Sequence, residues 1–281
     1  MLVCETIAQV RDFVKNQRNS GSVVGFVPTM GYLHRGHMAL IESARNQCDV
    51  VVASIFVNPL QFGPKEDYAQ YPRDFDRDSR MLEEYGVDLL FCPTVEEMFP
   101  AGFCTHVGVS DLTEGLCGRS RPGHFQGVAT VVTKFFNIVL PDLAYFGQKD
   151  AQQVLVIKKM VEDLNMPLGI VAVPIIREED GLAMSSRNVY LSPKQRDQAP
   201  LIFESLQQAA HAVEAGERDT ESLIEGVRTK LSKLEEASID YVEIRSLENL
   251  TELKLLDRPA LLAVAVRLGK TRLIDNIILE G

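Results

Sequence analysis

Short apolar runs alternate with amphipathic stretches along the first part of the chain. The runs predict β-strands, and the stretches predict helices because their apolar residues recur every three or four positions. The predicted strands cover residues 22–27, 49–57, 87–92, 142–146 and 169–173, and the first is expected to end before Pro28. The predicted helices cover residues 6–17, 36–46, 73–85, 126–139 and 151–164. Residues 49–57 are almost continuously apolar, which favours a parallel sheet covered by helices on both faces.

The pattern changes after residue 177. Two long polar helices are predicted at residues 193–214 and 221–234, followed by strands at 239–244, 261–266 and 272–279. Helices followed by strands are typical of an α+β domain. We therefore expect an α/β protein with two domains. Residues 1–177 would form a Rossmann-like open parallel sheet that binds nucleotide and substrate, and residues 178–281 a smaller α+β domain.

Composition narrows the possible partners. The chain has 281 residues, a hydrophobic fraction of 46% and a net charge of −10, which fit a folded two-domain protein. The acidic balance argues against nucleic acid or a membrane surface as a partner. No apolar run reaches the ~18–20 residues that span a bilayer, and the charged first residues do not resemble a signal peptide. The five cysteines include no CxxC pair, so a cytoplasmic location without zinc or disulfides is expected.

The segment PTMGYLHRGH (28–37) lies where the first predicted strand meets a helix. Ligands bind at the carboxyl ends of strands in open α/β sheets, and a helix N-terminus offers N–H groups and partial positive charge to a phosphate. His34 and His37 are three positions apart, so both can face one anion. A bare HxxH pair can also be structural, but its place at a strand end favours a functional role. The sequence contains neither a P-loop nor a GxGxxG motif after a predicted strand, so it gives no support for the common NTPase or dinucleotide-binding folds.

Two further segments follow predicted strands and should reach the same edge of the sheet. FVNPLQFG (56–63) carries Asn58 and Gln61, whose amides can bind hydroxyls or a carboxylate; the alternative is a simple Asn-Pro turn. FGQKDAQQ (146–153) carries Lys149 beside a helix start, where an ammonium can bind phosphate. The alternative for Lys149 is an ordinary exposed lysine.

The segment DGLAMSSRN (180–188) lies at the predicted domain boundary. Ser185, Ser186 and Arg187 could wrap a polyphosphate, because arginine supplies planar charge-assisted donors and serine supplies short ones. The alternative is a serine-rich interdomain loop with one solvated arginine.

Three aspartates, Asp74, Asp76 and Asp78, open a predicted helix and raise the question of a metal site. We interpret them as residues that favour the helix dipole. Mg²⁺ that travels with ATP needs few protein ligands, so no protein ligand of a metal is assigned.

These four segments, with GRSRPGHFQGVATVVTKFFNIV (118–139), resemble the pantoate–β-alanine ligase (pantothenate synthetase) family along the whole chain. The wider superfamily contains HxGH nucleotidyltransferases and class I aminoacyl-tRNA synthetases, and MSSR resembles a variant of their KMSKS loop. The family activates (R)-pantoate with ATP as pantoyl adenylate, releasing pyrophosphate, and β-alanine then displaces AMP to give pantothenate. The resemblance implies ATP with Mg²⁺, pantoate and β-alanine as small-molecule partners, and a cytoplasmic homodimer.

The resemblance also implies roles for individual residues. The expected catalytic residues are His34, His37, Lys149 and Arg187. The expected substrate-binding residues are Gln61 and Gln153, with Asn58 added for its amide. His37 would be the donor at the transition state, and Gln61 would lie near both pantoate and β-alanine. The residues expected to contact ATP are Met30, Gly31, Tyr32, Leu33, His34, Arg35, Gly36, His37, Gly147, Gln148, Lys149, Asp150, Ile176, Met184, Ser185, Ser186 and Arg187.

Three other functions share parts of this pattern. A nucleotidyltransferase would release the adenylylated compound as its product, which the two amides Gln61 and Gln153 argue against. A tRNA synthetase would carry an anticodon-binding module and a basic surface, for which the acidic remainder after Arg177 leaves little room. A non-catalytic binding protein would be expected to lose His34, His37 or Lys149.

Overall fold

The computed structural model describes residues 1–64 and 66–281. Contacts within the chain define two compact units. Unit 1 comprises Met1–Thr113, Arg121–Gln148 and Gln152–Pro174, and unit 2 comprises Glu114–Ser120, Lys149–Ala151 and Ile175–Gly281. This division differs from a single boundary at residue 177, because two short segments from the first part of the chain also belong to unit 2.

The elements are numbered in chain order. The helices are α1 (Ile7–Asn19), α2 (Arg35–Arg45), α3 (Phe75–Glu84), α4 (Val95–Met98), α5 (Leu116–Ser120), α6 (His124–Val139), α7 (Ala151–Asp163), α8 (Pro193–Gln198), α9 (Leu201–Glu214) and α10 (Thr220–Leu231). The strands are β1 (Leu2–Cys4), β2 (Val24–Thr29), β3 (Val50–Ile55), β4 (Leu89–Phe91), β5 (Leu143–Gly147), β6 (Gly169–Val173), β7 (Ala237–Ser246), β8 (Ala260–Leu268) and β9 (Thr271–Leu279). Across residues 1–64 and 66–281, no helix combines the length and apolar character needed to cross a bilayer.

In unit 1, β1 to β6 form a parallel sheet in the order β1-β4-β3-β2-β5-β6. The chain proceeds from β2 to β3 and β4 on one side and then returns to β5 on the other. Such a reversal is the point where ligands bind in open α/β sheets. The pairing of β2 with β5 stops at Phe26 and Ala144, three residues before each strand ends. The two strands therefore separate at their carboxyl ends.

Helices cover both faces of this sheet because its central strands are apolar on both sides. Val50 and Val52 of β3 lie in a buried cluster with residues of α1, α6 and α7. Val51 and Ala53, which point the other way, lie in a second buried cluster with residues of α2. This arrangement confirms the predicted Rossmann-like α/β class.

In unit 2, β7, β8 and β9 form an antiparallel sheet. Leu206 of α9, Val227 of α10 and Val264 of β8 belong to one buried cluster, so the two long helices pack on this sheet. The smaller α+β architecture predicted for the second part of the chain is confirmed.

Several details differ from the predicted elements, and three of them have a clear physical reason. β2 does not end before Pro28 but pairs through it to Thr29, and proline is tolerated there because β5 no longer pairs with β2 at that point. The helix predicted at 193–214 is two helices, α8 and α9, because Pro200 lacks the N–H that would continue the first. The strand β1 was not predicted, because three residues are too few to show a period.

Candidate active site

The HxGH residues 34–37 form the N-cap and first turn of α2, after a short loop that follows β2. His34 is the residue that caps the helix, and its Nδ1 accepts a hydrogen bond from the Gly36 N–H at 3.1 Å. His37 Nδ1 accepts in turn from the His34 N–H at 3.3 Å. This is a capping box in which two imidazoles replace the usual hydroxyl and carboxamide. The three-residue spacing of His34 and His37 thus serves the capping of α2 as well as the candidate binding of phosphate.

These two hydrogen bonds determine the tautomer of each imidazole. A backbone N–H can only donate, so each Nδ1 is an acceptor and the proton of the neutral ring lies on Nε2. The ring centroids of His34 and His37 are 4.0 Å apart. The pair therefore supplies two Nε2–H donors at a helix N-terminus, whose partial positive charge favours an anion.

A buried carboxylate holds the loop that leads into α2. Gly31 and Tyr32 have left-handed backbone, with φ of 83° and 51°. Asp78 is 1% exposed and accepts the N–H groups of Tyr32 at 2.5 Å and Leu33 at 2.8 Å. Burial raises the pKa of Asp78 even though these two hydrogen bonds act in the opposite direction. The Leu33 side chain is fully buried in the core, which anchors the other side of the loop.

The three aspartates of this region have different structural roles. Asp74 caps α3 by accepting the Arg77 N–H at 3.1 Å, and Asp76 is exposed in the first helical turn. Asp78 instead binds the loop before α2, a role that the helix-dipole interpretation missed. Among the described residues, no group of three or more His, Cys, Asp and Glu side chains could hold a metal ion.

The segment that carries Gln61 forms a short 3-10 turn after β3. Asn58 caps this turn: its Oδ1 accepts the Leu60 N–H at 3.2 Å, and its Nδ2 donates to the Gly127 carbonyl and to Gln61 Oε1, both at 3.1 Å. Gln61 Nε2 lies 3.0 Å from the sulfur of Met30. The structure thus brings Gln61 to Met30 of the segment 28–37, as the shared sheet edge predicts, while the Asn58 amide is 1% exposed and bound to protein groups.

Three residues for which the sequence predicted no individual role form hydrogen bonds at the Gln61 turn: Glu66, Arg121 and His124. Arg121 binds the Glu66 carboxylate twice, from Nε to Oε1 at 2.6 Å and from Nη2 to Oε2 at 2.9 Å. Its Nη1 lies 2.9 Å from His124 Nε2, and His124 Nδ1 lies 2.9 Å from the Gln61 carbonyl oxygen. Burial alone would raise the pKa of Glu66, but the hydrogen bonds and charge of Arg121 outweigh it and lower the pKa to about 2.

The segment that follows β5 is divided between the two units. In unit 1, Gly147 ends β5, Gln148 follows it, and Gln153 lies half-buried in the first turn of α7. Lys149 belongs to unit 2, where its carbonyl oxygen accepts a hydrogen bond from Asn276 Nδ2 at 2.9 Å. Asp150 ends the intervening 3-10 turn and is exposed.

The predicted phosphate-binding loop continues from a hairpin in unit 2. The Met184 N–H donates to the Ile176 carbonyl oxygen at 3.0 Å, which makes these two predicted ATP contacts neighbours. Arg177 ties the hairpin to β9 through both oxygens of Asp275, at 2.6 and 3.0 Å. Asp275 is adjacent to Asn276, so consecutive residues of β9 hold this hairpin and Lys149.

The Ser-Ser-Arg sequence itself lies at the start of a 3-10 turn. Ser185 caps the turn, and its Oγ accepts the Arg187 N–H at 3.2 Å. Ser186 is buried and Arg187 is half-buried. Of the candidate residues, unit 2 thus contains Lys149, the two serines and Arg187, and unit 1 contains the two histidines and the amides of Asn58, Gln61 and Gln153.

Known proteins resemble this chain along its whole length. The family model described as pantoate-beta-alanine ligase matches residues 2–278. A pantothenate synthetase from Pelotomaculum thermopropionicum is 59% identical over 99% of both chains, and one from Desulfitobacterium hafniense is 56% identical over the full length of both. The crystal structure of pantothenate synthetase from Thermus thermophilus has a TM-score of 0.94 and 50% identity over 99% of both chains. Pantoate-beta-alanine ligase from Francisella tularensis, complexed with beta-gamma ATP and beta-alanine, has a TM-score of 0.81 and 35% identity over 99% of this chain and 97% of its own.

Proposed function

The chain belongs to the pantoate–β-alanine ligase family, and we propose that it works through a pantoyl adenylate formed by the residues described above. As a member of that family it is an ATP-dependent enzyme that joins (R)-pantoate to β-alanine to give pantothenate. A carboxylate is a poor acyl donor, so adenylation supplies the leaving group that amide formation requires.

The reaction consists of two displacements. A carboxylate oxygen of pantoate attacks the α-phosphorus of ATP, the bond from that phosphorus to the bridging oxygen breaks, and pyrophosphate leaves. The amine of β-alanine then attacks the acyl carbon, and AMP leaves with the oxygen that joined carbon to phosphorus. Neither step needs a nucleophilic side chain, so catalysis depends on positioning and on neutralising the phosphate charge.

The observation that carries this proposal is the imidazole pair at the start of α2. Both Nδ1 atoms accept backbone N–H groups, so both Nε2–H groups are donors for phosphate oxygens. We assign His37 as the donor to the α-phosphate as charge builds up in the transition state, and His34 as its neighbour on the same phosphates. Donors held in place before the reaction stabilise developing charge without reorganisation.

The remaining candidates divide between phosphate and organic substrate. We assign Lys149, Ser185, Ser186 and Arg187 to the phosphates, because they combine charge-assisted and hydroxyl donors. We assign Gln61 and Gln153 to pantoate. Mg²⁺ would enter with ATP as part of the substrate, because Mg²⁺ bound to substrate phosphates needs few protein ligands and Asp74 and Asp78 are engaged in capping and loop contacts.

Localisation and assembly are also proposals. We propose a cytoplasmic homodimer whose partners are small molecules, with neither nucleic acid nor a membrane surface among them. The net charge of −10 supports the exclusion of polyanionic partners.

Omission of each substrate in turn tests the proposed function. The protein is incubated with ATP, Mg²⁺, pantoate and β-alanine, and AMP, pyrophosphate and pantothenate are measured. We expect equal amounts of the three products, and no AMP when either organic substrate is left out. Release of free pantoyl adenylate as the final product would indicate a nucleotidyltransferase. AMP formation that does not depend on pantoate or on β-alanine would exclude the ligase.

Lys149→Ala provides a test of the phosphate assignment in unit 2. We expect adenylation to slow by ~10²-fold or more, the scale of losing one transition-state donor. Single-turnover formation of pyrophosphate measures this step, and a near-normal rate would refute the role of Lys149.

A further inference from the structure

Gln61 is held by protein groups on both its main chain and its side chain. Its carbonyl oxygen is 2.9 Å from His124 Nδ1 and 3.3 Å from Arg121 Nη2. Its side-chain Oε1 is 3.1 Å from Asn58 Nδ2. These partners come from the start of α6, from the turn before it and from the loop that follows β3.

The tautomer of His124 follows from its two neighbours. A guanidinium can only donate, so Arg121 Nη1 requires His124 Nε2 to be an acceptor. The proton of His124 therefore lies on Nδ1 and is donated to the Gln61 carbonyl oxygen. This is the opposite tautomer from that of His34 and His37, and it faces a backbone carbonyl of the protein.

The orientation of the Gln61 amide follows in the same way. Asn58 Oδ1 accepts the Leu60 N–H, so its Nδ2 is the donor that faces Gln61 Oε1. Gln61 Nε2 then points to the Met30 side, at 3.0 Å from the sulfur. Gln61 consequently offers its N–H donors on the side of Met30 and matches a ligand group with acceptor oxygens.

We propose that Glu66, Arg121 and His124 are positioning residues for pantoate, which hold Gln61 so that Nε2 donates to an acceptor oxygen of that substrate. Glu66 fixes the guanidinium with two hydrogen bonds, Arg121 fixes the His124 ring, and the two together hold the Gln61 main chain. This inference rests on the proposed function, in which Gln61 binds pantoate.

The arrangement makes direct substrate binding by Arg121 the less favoured role. Its side chain is 16% exposed, and its nitrogens already face Glu66, His124 and the Gln61 carbonyl oxygen. To bind the carboxylate of β-alanine directly, Arg121 would have to break these hydrogen bonds. If Arg121 positions Gln61, its substitution should change the KM for pantoate. If Arg121 binds β-alanine directly, its substitution should change the KM for β-alanine.

Steady-state kinetics of three variants separate these roles. Arg121→Met and His124→Leu are expected to raise the KM for pantoate about 10-fold or more, the scale of one lost charge-assisted hydrogen bond, and to change the KM for ATP less than about 2-fold. His124→Asn is expected to restore most of the pantoate affinity, because its Nδ2 replaces Nδ1 as donor to Gln61. A change confined to the KM for β-alanine, or no rescue by asparagine, would overturn the proposal.

Arg45→Met is the control for loss of an arginine ion pair, because Arg45 lies in the same unit and pairs with Asp88 through one hydrogen bond of 3.0 Å, although it is more exposed than Arg121. Its KM for pantoate should equal that of the wild type. If Arg121→Met does not fold, Glu66→Gln tests the same link without changing side-chain size. Thermal unfolding of each variant separates loss of folding from loss of positioning.

A double-mutant cycle with Gln61→Ala gives the decisive result. If Arg121 acts through Gln61, Arg121→Met should add almost nothing to the pantoate KM of Gln61→Ala. Additive effects would overturn the positioning role. Wild-type protein that turns over without pantoate would instead refute the proposed function, so the two failures are distinguishable.

Discussion

The HxGH turn and the Gln61 turn lie at the same edge of the unit 1 sheet but are stabilised in different ways. The imidazoles of His34 and His37 are oriented by backbone groups within the same four residues. The Gln61 turn is held by partners more than 55 positions away, Arg121, His124 and Gly127. The HxGH turn can be predicted from the sequence because its hydrogen bonds are local. The Gln61 turn cannot, because its hydrogen bonds form only when α6 packs against it.

Substitutions of His37 should separate its role in capping α2 from its role in adenylation. They have the largest expected effect on the reaction rate. His37→Ala should slow pyrophosphate formation by ~10²-fold or more, the scale of one lost transition-state donor. It should also lower the free energy of unfolding by about 1 kcal/mol, because the His34 N–H loses its acceptor. Single-turnover quench and denaturant titration measure the two quantities.

His37→Asn is the matched control, because its Oδ1 can take the place of Nδ1 in the capping box but no Nε2–H remains. We expect wild-type stability with the same kinetic defect as alanine. A near-normal adenylation rate in either variant would contradict the donor assigned to His37.

Gly127→Ala should break the long-range support of the Gln61 turn. A Cβ at this position would lie 2.2 Å from the Leu60 carbonyl oxygen and 2.6 Å from the Gln61 nitrogen, so the turn must move. We expect the KM for pantoate to rise at least about 10-fold and stability to fall by about 1–3 kcal/mol, as in other overpacked sites. The KM for ATP should change little.

Gly226→Ala in α10 is the control for this change, because the nearest atom to its added Cβ is 3.9 Å away. Alanine there should raise stability by up to about 1 kcal/mol through helix propensity. An unchanged pantoate KM in Gly127→Ala would show that the position of Gln61 does not depend on α6.

Asp78→Asn tests a distant support of the loop that leads into the HxGH turn. The N–H groups of Tyr32 and Leu33 reach different oxygens of the Asp78 carboxylate. The substitution replaces one of these oxygens by an NH2 group, which cannot accept, so the loop at Tyr32 should loosen. We expect the KM for ATP to rise by about 10-fold, consistent with one lost hydrogen bond to a charged group, and the KM for pantoate to stay constant. Asp74→Asn is the control, because asparagine caps a helix as well as aspartate does; a similar loss in that variant would contradict the assignment.

The Glu66–Arg121 ion pair should make part of the stability dependent on pH. The pKa of Glu66 is lowered to about 2 in the folded protein, below its ordinary value of 4.5. Its contribution is therefore present above about pH 4.5 and is lost as the pH falls towards 2. In Glu66→Gln, the decrease in unfolding free energy over this range should be smaller by up to about 2 kcal/mol after allowance for solvent screening. Identical pH profiles for the two proteins would show that the pair adds no stability.

Periodicity predicted most elements of both units, but backbone chemistry altered two of them. The long helix predicted at 193–214 ignored Pro200, which ends α8 and lets α9 begin. The strand predicted at 22–27 was ended too early, because the sequence does not reveal that β5 has already separated from β2 at Pro28. The first error could have been avoided from the local sequence, because Pro200 is visible there, whereas the second depends on the pairing of strands in the sheet.

The candidate site shows the same limit. His34 and His37 could be selected from four adjacent residues, and the meeting of Gln61 with Met30 follows from two neighbouring strands. The second role of Asp78 could not be predicted, because a helix-opening aspartate ordinarily caps its own helix. Arg121 and His124 were visible only as part of a family string, since their hydrogen bonds to the Gln61 turn form through packing of α6.

Transfer of an oxygen isotope tests the central claim most directly. Pantoate labelled with ¹⁸O in its carboxylate is converted with ATP and β-alanine, and the products are analysed by mass spectrometry. If the carboxylate attacks the α-phosphorus, AMP must carry one labelled oxygen and pyrophosphate must carry none. Unlabelled AMP, or label in pyrophosphate, would contradict the pantoyl adenylate and with it the role assigned to the imidazole pair.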